Sequence, residues 1–162
     1  MPTVTPVIAS DNDDAITWAG AFSLSPSGYY LGNDGNWNHA YMRFELNVPA
    51  DATITEAHLT FTANATLSAD TVRLKIYYED ANDPGDFSGD DYTSIEARTR
   101  SGDSIDWDFT TNWADGSEYQ SDDIASLIQA LVDETYWASG EHCVIIIEDD
   151  SSDSNAYRKC DS

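Results

Sequence analysis

The sequence predicts a mostly β protein, an antiparallel β-sandwich of jelly-roll or Ig-like type with one amphipathic helix near residues 122–137. Short segments alternate apolar and polar residues, turn-forming residues separate them at intervals of about 8–12 residues, and only one segment has helical spacing. The 162 residues are enough for one domain with its own hydrophobic core.

The first segment, Thr3–Ala9, is β-prone but is interrupted by Pro6. Because proline cannot donate a ladder hydrogen bond, such a strand is confined to a sheet edge or a bulge. Two short strands are expected next, near Ile16–Ala19 and Phe22–Ser25.

The clearest alternation marks four further strands, each with one buried face. Their inward residues are Met42, Phe44 and Leu46; Ala57, Leu59, Phe61 and Ala63; Val72, Leu74, Ile76 and Tyr78; and Ile105, Trp107 and Phe109. A loop rich in Asp, Gly and Pro, residues 80–92, separates the last two of these strands.

Ser121–Trp137 has the only helical spacing of apolar residues, with Ser121 as the expected N-cap and Gly140 as the stop signal. Beyond it, Cys143 and Cys160 flank a predicted β-hairpin. Antiparallel pairing around a turn at residues 151–152 would bring their Cβ atoms to about 4.5–5.5 Å. We therefore expect a disulfide and an oxidising, extracellular environment; the alternative is two reduced cysteines in a cytosolic protein.

The charge is strongly unbalanced, with 30 acidic and 7 basic residues and a net charge of −23. Such a surface repels phosphate backbones and anionic headgroups, so neither nucleic acid nor a membrane is an expected partner. No apolar run is long enough to span a bilayer, and the first residues lack the pattern of a signal peptide. Either a signal has been removed, or the protein leaves its cell by another route such as lysis.

Calcium is the one ion that the acidic residues suggest, because carboxylate clusters suit hard cations. Two loops supply the candidate ligands: Asp11, Asp13 and Asp14 in the first, and Asp80, Asp83, Asp86 and Asp90 in the second. Neither has the spacing of an EF-hand, and turn-forming Asp residues in solvated loops are the alternative explanation. No other cofactor is expected.

No catalytic residues are predicted. The three histidines lie in different segments, and the chain has neither a glycine-rich phosphate loop nor a Gly-x-Ser-x-Gly motif. The five tryptophans could offer a stacking platform for sugar rings, although most are expected in the core or at subunit contacts. They are Trp18, Trp37, Trp107, Trp113 and Trp137.

The run Tyr41–Phe44 followed by Pro49–Phe61 resembles the strand, proline-led turn and strand of DNRLRE-type jelly-roll modules. The resemblance continues through residues 98–100, the Trp107 strand, the helix at residues 123–132 and the strand at residues 144–147. It implies the kind of fold found in bacterial surface proteins, some carbohydrate-binding proteins and phage structural proteins.

Modules of this type usually add a closing strand after the position of Tyr157, whereas this chain stops at Ser162. We therefore expect an open edge at the last strand, which a neighbouring chain could fill. The alternative is a terminal strand that pairs within its own chain.

Residues 1–10 are the expected donor, with Thr3, Val4, Thr5, Val7 and Ile8 as contact residues, and residues 11–162 form the β-sandwich domain. The leading hypothesis is a non-enzymatic extracellular subunit that self-assembles into a fibril, pilus-like filament or virion surface through strand complementation. A carbohydrate-binding module is the alternative.

Overall fold

A computed structural model describes residues 3–67 and 70–162 of the chain. Met1 and Pro2, the first two residues of the predicted donor segment, lie outside the described residues. Ten strands and two helices are present in the described ranges, with a large antiparallel sheet. The predicted mostly β class is therefore confirmed, and the arrangement is consistent with a β-sandwich. The predicted helix near residues 122–137 is present, and a second, short helix was not predicted.

Six strands form the main sheet. Their bounds are β1 Asp14–Trp18, β2 Ala21–Leu24, β4 Asn38–Glu45, β6 Val72–Tyr78, β7 Ile105–Phe109 and β9 His142–Asp149. The order is β2-β1-β4-β9-β6-β7, and all neighbours are antiparallel. Ala19 and Gly20 join β1 to β2 with positive φ angles of 45° and 85°, as expected for a tight hairpin turn.

Two short ribbons pack against the inner face of this sheet. They are β3 (Tyr29–Gly32) with β10 (Tyr157–Cys160), and β5 (Thr60–Thr62) with β8 (Glu118–Gln120). An antiparallel bridge between Ala63 and Cys160 connects the ribbons. The main core includes inward residues of both the sheet and the ribbons.

The central strand β9 is buried on both faces, because Val144 and Ile146 belong to a second apolar cluster on the outer side of the sheet. Phe87 and Ile95 cover this outer cluster. Ile95 lies in the short helix α1 (Tyr92–Glu96), which begins with a reciprocal pair of hydrogen bonds between Asp91 and Ser94. A face that simple alternation would leave to solvent is thus covered by residues 80–100.

The predicted helix, the second in chain order, is shorter than expected. Helix α2 covers Ala125–Val132, and Leu127, Leu131 and Val132 are buried. Ser121 is not its N-cap, because its hydroxyl accepts a hydrogen bond from the Leu59 amide at 3.0 Å. Among the described residues, no helix is long and apolar enough to cross a membrane.

The predicted hairpin between Cys143 and Cys160 is wrong. Residues 150–153 hydrogen-bond to residues 71–73, which takes the chain from the main sheet to the ribbon layer. Cys143 consequently lies opposite Phe44 in β4, and Cys160 lies opposite Tyr29 in β3. The two cysteines are free, so the expected disulfide is not formed.

The expected open edge at the last strand is also wrong for β10 itself. On one side, β10 pairs with β3 along four residues. On the other side, the Lys159 carbonyl accepts from the Asn64 amide at 3.1 Å, and the Asp161 amide donates to the Thr62 carbonyl at 2.9 Å. The last strand is therefore flanked on both sides within its own chain.

Candidate functional site

The N-terminal segment, residues 3–10, lies outside both layers. Within the described chain, residues 3–9 form no strand, and no hydrogen bond ties their backbone to another described residue. Thr3 and Thr5 are exposed, and Val4 and Val7 are 43% and 70% exposed. Ile8 is half-buried against the main core and anchors the segment. The strand predicted at residues 3–9 is thus absent from the single chain.

A small polar cavity of about 210 Å³ lies beside the anchored end of this segment. Its lining residues are Ile8, Ala9, Ser10, Asp11, Asp14, Ser25 and Ser162. Asp14 is only 3% exposed, and burial raises the pKa of its carboxyl group to about 6 against the opposing effect of a hydrogen bond with Ser162. The Ser162 hydroxyl lies 2.6 Å from the Pro26 carbonyl oxygen as well, so its single proton is shared between two acceptors.

The Tyr29 hydroxyl is another buried polar group in this region. Tyr29 is 1% exposed, and its hydroxyl has no hydrogen-bond partner among the described residues. Burial, and secondly the nearby carboxylate of Asp14, raise the pKa of Tyr29. The Tyr29 phenol therefore stays neutral beside Asp14.

A second concave surface, the aromatic groove, has a volume of about 350 Å³. Its lining residues are Ile16, Trp18, Ser23, Pro26, Ser27, Gly28, Tyr30, Asp34, Asn36 and Asn38. The Asp34 carboxylate accepts hydrogen bonds from the Asn36 amide at 3.2 Å and from the Asn38 side chain at 3.0 Å. These bonds hold the polar lining residues in place, and the same groove is lined by the aromatic rings of Trp18 and Tyr30.

The tryptophans divide into two groups. Trp107, Trp113 and Trp137 are at most 5% exposed and belong to the main core. Trp18 is half-buried in the wall of the groove, and Trp37, in the neighbouring loop, is 72% exposed. The expectation that most tryptophans belong to the core is confirmed.

The first predicted calcium loop does not gather its carboxylates. Asp13 forms an ion pair with Arg43 at 2.7 Å and accepts from the Ser10 hydroxyl. Asp14 is buried in β1, and Asp11 lies at the exposed rim of the polar cavity.

In the second loop, each candidate carboxylate likewise has a separate partner. Their partners are Tyr136 for Asp80, His142 for Asp83, Ser88 for Asp86 and Arg98 for Asp90. In residues 3–67 and 70–162, no three His, Cys, Asp or Glu side chains are grouped to hold a metal ion. Calcium stays a prediction without a cluster of ligands to support it.

An ionic network on the outer face was missed by sequence reasoning. Glu96, at the end of α1, accepts hydrogen bonds from Thr17 and His39, and Arg100 bonds both Glu96 and Glu148. Burial acts to raise the pKa of Glu96, but the bonds from His39 and Thr17 outweigh it and lower the pKa to about 2. The network fastens residues 80–100 to the sheet. No local pattern could reveal it, because Thr17 and Glu96 are 79 residues apart.

The two cysteines are unsuited to redox chemistry in the folded state. Cys143 is 2% exposed and Cys160 is fully buried. Burial raises the pKa of both thiols to about 12, which keeps them protonated and unreactive.

Comparison with models of known protein families and with curated proteins finds no match. The N-terminal segment and the aromatic groove are therefore the two surfaces from which a function can be argued.

Proposed function

We propose that this protein is a non-enzymatic extracellular structural subunit that assembles into filaments by donating its N-terminal segment to a neighbouring copy. The observation that carries the proposal is the state of residues 3–9. They form no strand, they are free of ladder hydrogen bonds to the described chain, and they leave Val4 and Val7 exposed. A segment in this state is suited to strand addition, in which main-chain hydrogen bonds supply affinity.

Burial of the exposed valines against a second copy would stabilise the assembled state. Full burial of a valine side chain contributes about 1.5–3 kcal/mol, and Val4 and Val7 are the exposed apolar residues of the segment. Ordering the segment opposes this gain, by about 1–2 kcal/mol per residue for the backbone. The valines alone do not offset this cost, so the main-chain hydrogen bonds of the added strand must contribute the rest.

The charge distribution also favours this segment as the point of contact. Each copy carries a net charge of −23, so two copies repel each other wherever acidic surfaces meet. Residues 3–10 carry no charged side chain. Raising the ionic strength shortens the range of the repulsion, so assembly should become more favourable as salt is added.

The test is deletion of residues 1–10, followed by sedimentation analysis and negative-stain microscopy over a range of salt concentrations. We expect soluble monomers, because the donor is gone while the fully buried core residues, which begin at Ala15, remain. Tyr92→Ser is the matched control, since Tyr92 is also an exposed aromatic or aliphatic residue, at 39%, but lies in α1. Filaments formed without residues 1–10 would refute strand donation.

Carbohydrate binding is a second candidate, and the aromatic groove is the observation that favours it. Trp18 and Tyr30 can stack on the apolar face of a sugar ring, while Asp34 and Asn36 can bond its hydroxyl groups. Affinity electrophoresis against a panel of polysaccharides tests it. Retention that is lost in Trp18→Ala and kept in Tyr92→Ser would support this candidate, and absence of retention for the native protein would remove it.

A further inference from the structure

Strand β5 has one paired edge and one edge that is largely open. On the paired side, the Leu59 carbonyl accepts from the Ser121 amide at 2.9 Å, and the Ala63 amide donates to the Ser117 carbonyl at 2.9 Å. Successive residues of an extended chain direct their backbone groups to opposite sides. The N–H and C=O groups of Thr60 and Thr62 therefore point away from β8.

The C-terminal residues cover only one end of that opposite side. The Asp161 amide reaches the Thr62 carbonyl at 2.9 Å, and the Asn64 amide reaches the Lys159 carbonyl at 3.1 Å. Farther along the edge, at Thr60 and His58, no backbone partner is present on this side within residues 3–67 and 70–162. An edge of this kind is a template for an added strand.

We infer that the edge at residues 58–62 is the acceptor for residues 3–8 of a second copy. This inference rests on the proposed function, since it names the surface that receives the donated segment. Because the Thr62 carbonyl is already bonded to Asp161, the open part of this edge is residues 58–61, which spans about 13 Å and can pair with about four of the six donor residues at about 3.3 Å per residue. Pro6 is compatible with a strand added at an edge, where a missing N–H can be tolerated.

The faces also agree. In an extended donor, Val4, Pro6 and Ile8 lie on one face, and Thr3, Thr5 and Val7 lie on the other. In the acceptor, Leu59 and Phe61 are buried and Thr60 is exposed. An added strand would therefore continue the apolar inner face with Val4, Pro6 and Ile8, whereas Thr3, Thr5 and Val7 would lie on the outer face, so that Val4 is the exposed valine that donation buries most.

Charge makes the β7 edge of the main sheet less suitable. Strand β7 ends the main sheet, and its exposed residues Asp106 and Asp108 face Lys75 and Arg73 of β6. Acidic residues on an edge oppose the approach of a second strand, above all from another acidic protein. The edge at residues 58–62 has only threonine and histidine at its outward positions.

Disulfide trapping between two copies tests the inference. Donor variants Thr3→Cys, Thr5→Cys and Val7→Cys are each mixed with the acceptor variant Thr60→Cys under mild oxidation. The buried thiols of Cys143 and Cys160 should not interfere. We expect at least one donor to form a linked heterodimer about tenfold faster with Thr60→Cys than with the control Asp108→Cys, because strand addition raises the local concentration of the two thiols.

Three results would overturn the inference. They are equal linkage to both acceptors, absence of linkage to Thr60→Cys, and an intramolecular disulfide in a chain carrying both Thr5→Cys and Thr60→Cys. The third would mean that the segment occupies the edge of its own chain. Thr60→Pro provides a second test, since it removes the outward N–H and should reduce filament formation while circular dichroism confirms folding.

The outcomes separate the inference from the proposed function. If deletion of residues 1–10 abolishes assembly but Thr60→Cys is not linked, donation stands and the assignment of the acceptor edge is wrong. If filaments persist after the deletion, both are wrong.

Discussion

Replacement of Asp14 by asparagine should stabilise the folded protein above pH 6 and leave its stability nearly unchanged below pH 3.8. Burial raises the pKa of Asp14 from 3.8 to about 6, so the folded protein binds this proton more tightly than the unfolded chain does. Between these two pH values the folded state holds more protons, and the free energy of unfolding falls as the pH rises. Asparagine has a similar shape and no charge to bury.

The size of the effect follows from the interval between the two pKa values. Each pKa unit corresponds to about 1.4 kcal/mol, so ionisation of Asp14 lowers the free energy of unfolding by up to about 3 kcal/mol once the pH exceeds 6. The hydrogen bond with Ser162 favours the ionised form and is weaker with an amide. We therefore expect a net gain of about 2 kcal/mol for the variant.

Urea denaturation of both proteins, below pH 3.8 and above pH 6, measures the difference. Other carboxyl groups titrate in the same range, but they contribute equally to both proteins and cancel in the comparison at each pH. A stability difference that is the same at both pH values would refute the reasoning, because it would mean that burial does not perturb Asp14.

Three further predictions concern buried groups elsewhere. Glu96→Gln should have the opposite pH dependence, because folding lowers the pKa of Glu96 from 4.5 to about 2. Above pH 4.5 the variant should be less stable by about 3 kcal/mol, and this loss should fade as the pH falls toward 2. Urea titrations on both sides of this range test it. Arg158 is fully buried and donates to the Thr111 carbonyl at 2.6 Å and 2.9 Å, so Arg158→Ala should cost about 3 kcal/mol and Arg158→Met clearly less, because methionine fills the same space. Equal losses in thermal or urea melts would contradict this. Cys143 and Cys160 should react with a thiol reagent only after unfolding, and one rapidly labelled thiol in the native protein would disprove their burial.

The strands were predictable because alternation is a local signal. Strand β6 has the predicted inward residues, and Val72, Leu74 and Ile76 are at most 1% exposed. In β4 the same alternation identified the inner face but not the environment of the outer face. Tyr41 was expected on a solvent face, yet it is fully buried beneath residues 80–100. A covering layer formed by a distant loop leaves no mark on the periodicity of the strand that it covers.

The errors near the C-terminus have a related cause. A turn-rich connection after β9 predicts a hairpin, but residues 150–153 find partners at residues 71–73, about 80 positions earlier in the chain. Likewise, Ser121 has the composition of an N-cap but bonds the Leu59 amide instead. In both cases a tertiary hydrogen bond replaced the local one that the sequence suggested.

The candidate sites were predictable in part. Pro6 singled out residues 3–9 as an unusual strand, and the structure leaves them unpaired in the described chain. The sequence could not distinguish core tryptophans from surface tryptophans, since Trp18 and Trp107 both occur in alternating segments. Their burial depends on which layer faces them, and that is set by strand order.

The position of Asp14 connects the stability of the fold to the state of the donor segment. Ile8, Ser10 and Asp11 line the same cavity as Asp14, and Asp11 and Asp13 add to the negative charge around it. When Asp14 ionises above pH 6, the cavity must admit water or separate its walls, and the wall with the fewest contacts is the segment itself.

Release of the segment, and hence assembly, should therefore be faster above pH 6 than below it. The measurement is the rate of filament growth, followed by light scattering at constant ionic strength on both sides of that pH. Asp14→Asn should grow slowly at either pH, because its segment remains anchored to a neutral wall. Equal rates for the native protein across this range would show that the segment detaches independently of Asp14, and the donor would then be limited by its apolar contact at Ile8 alone.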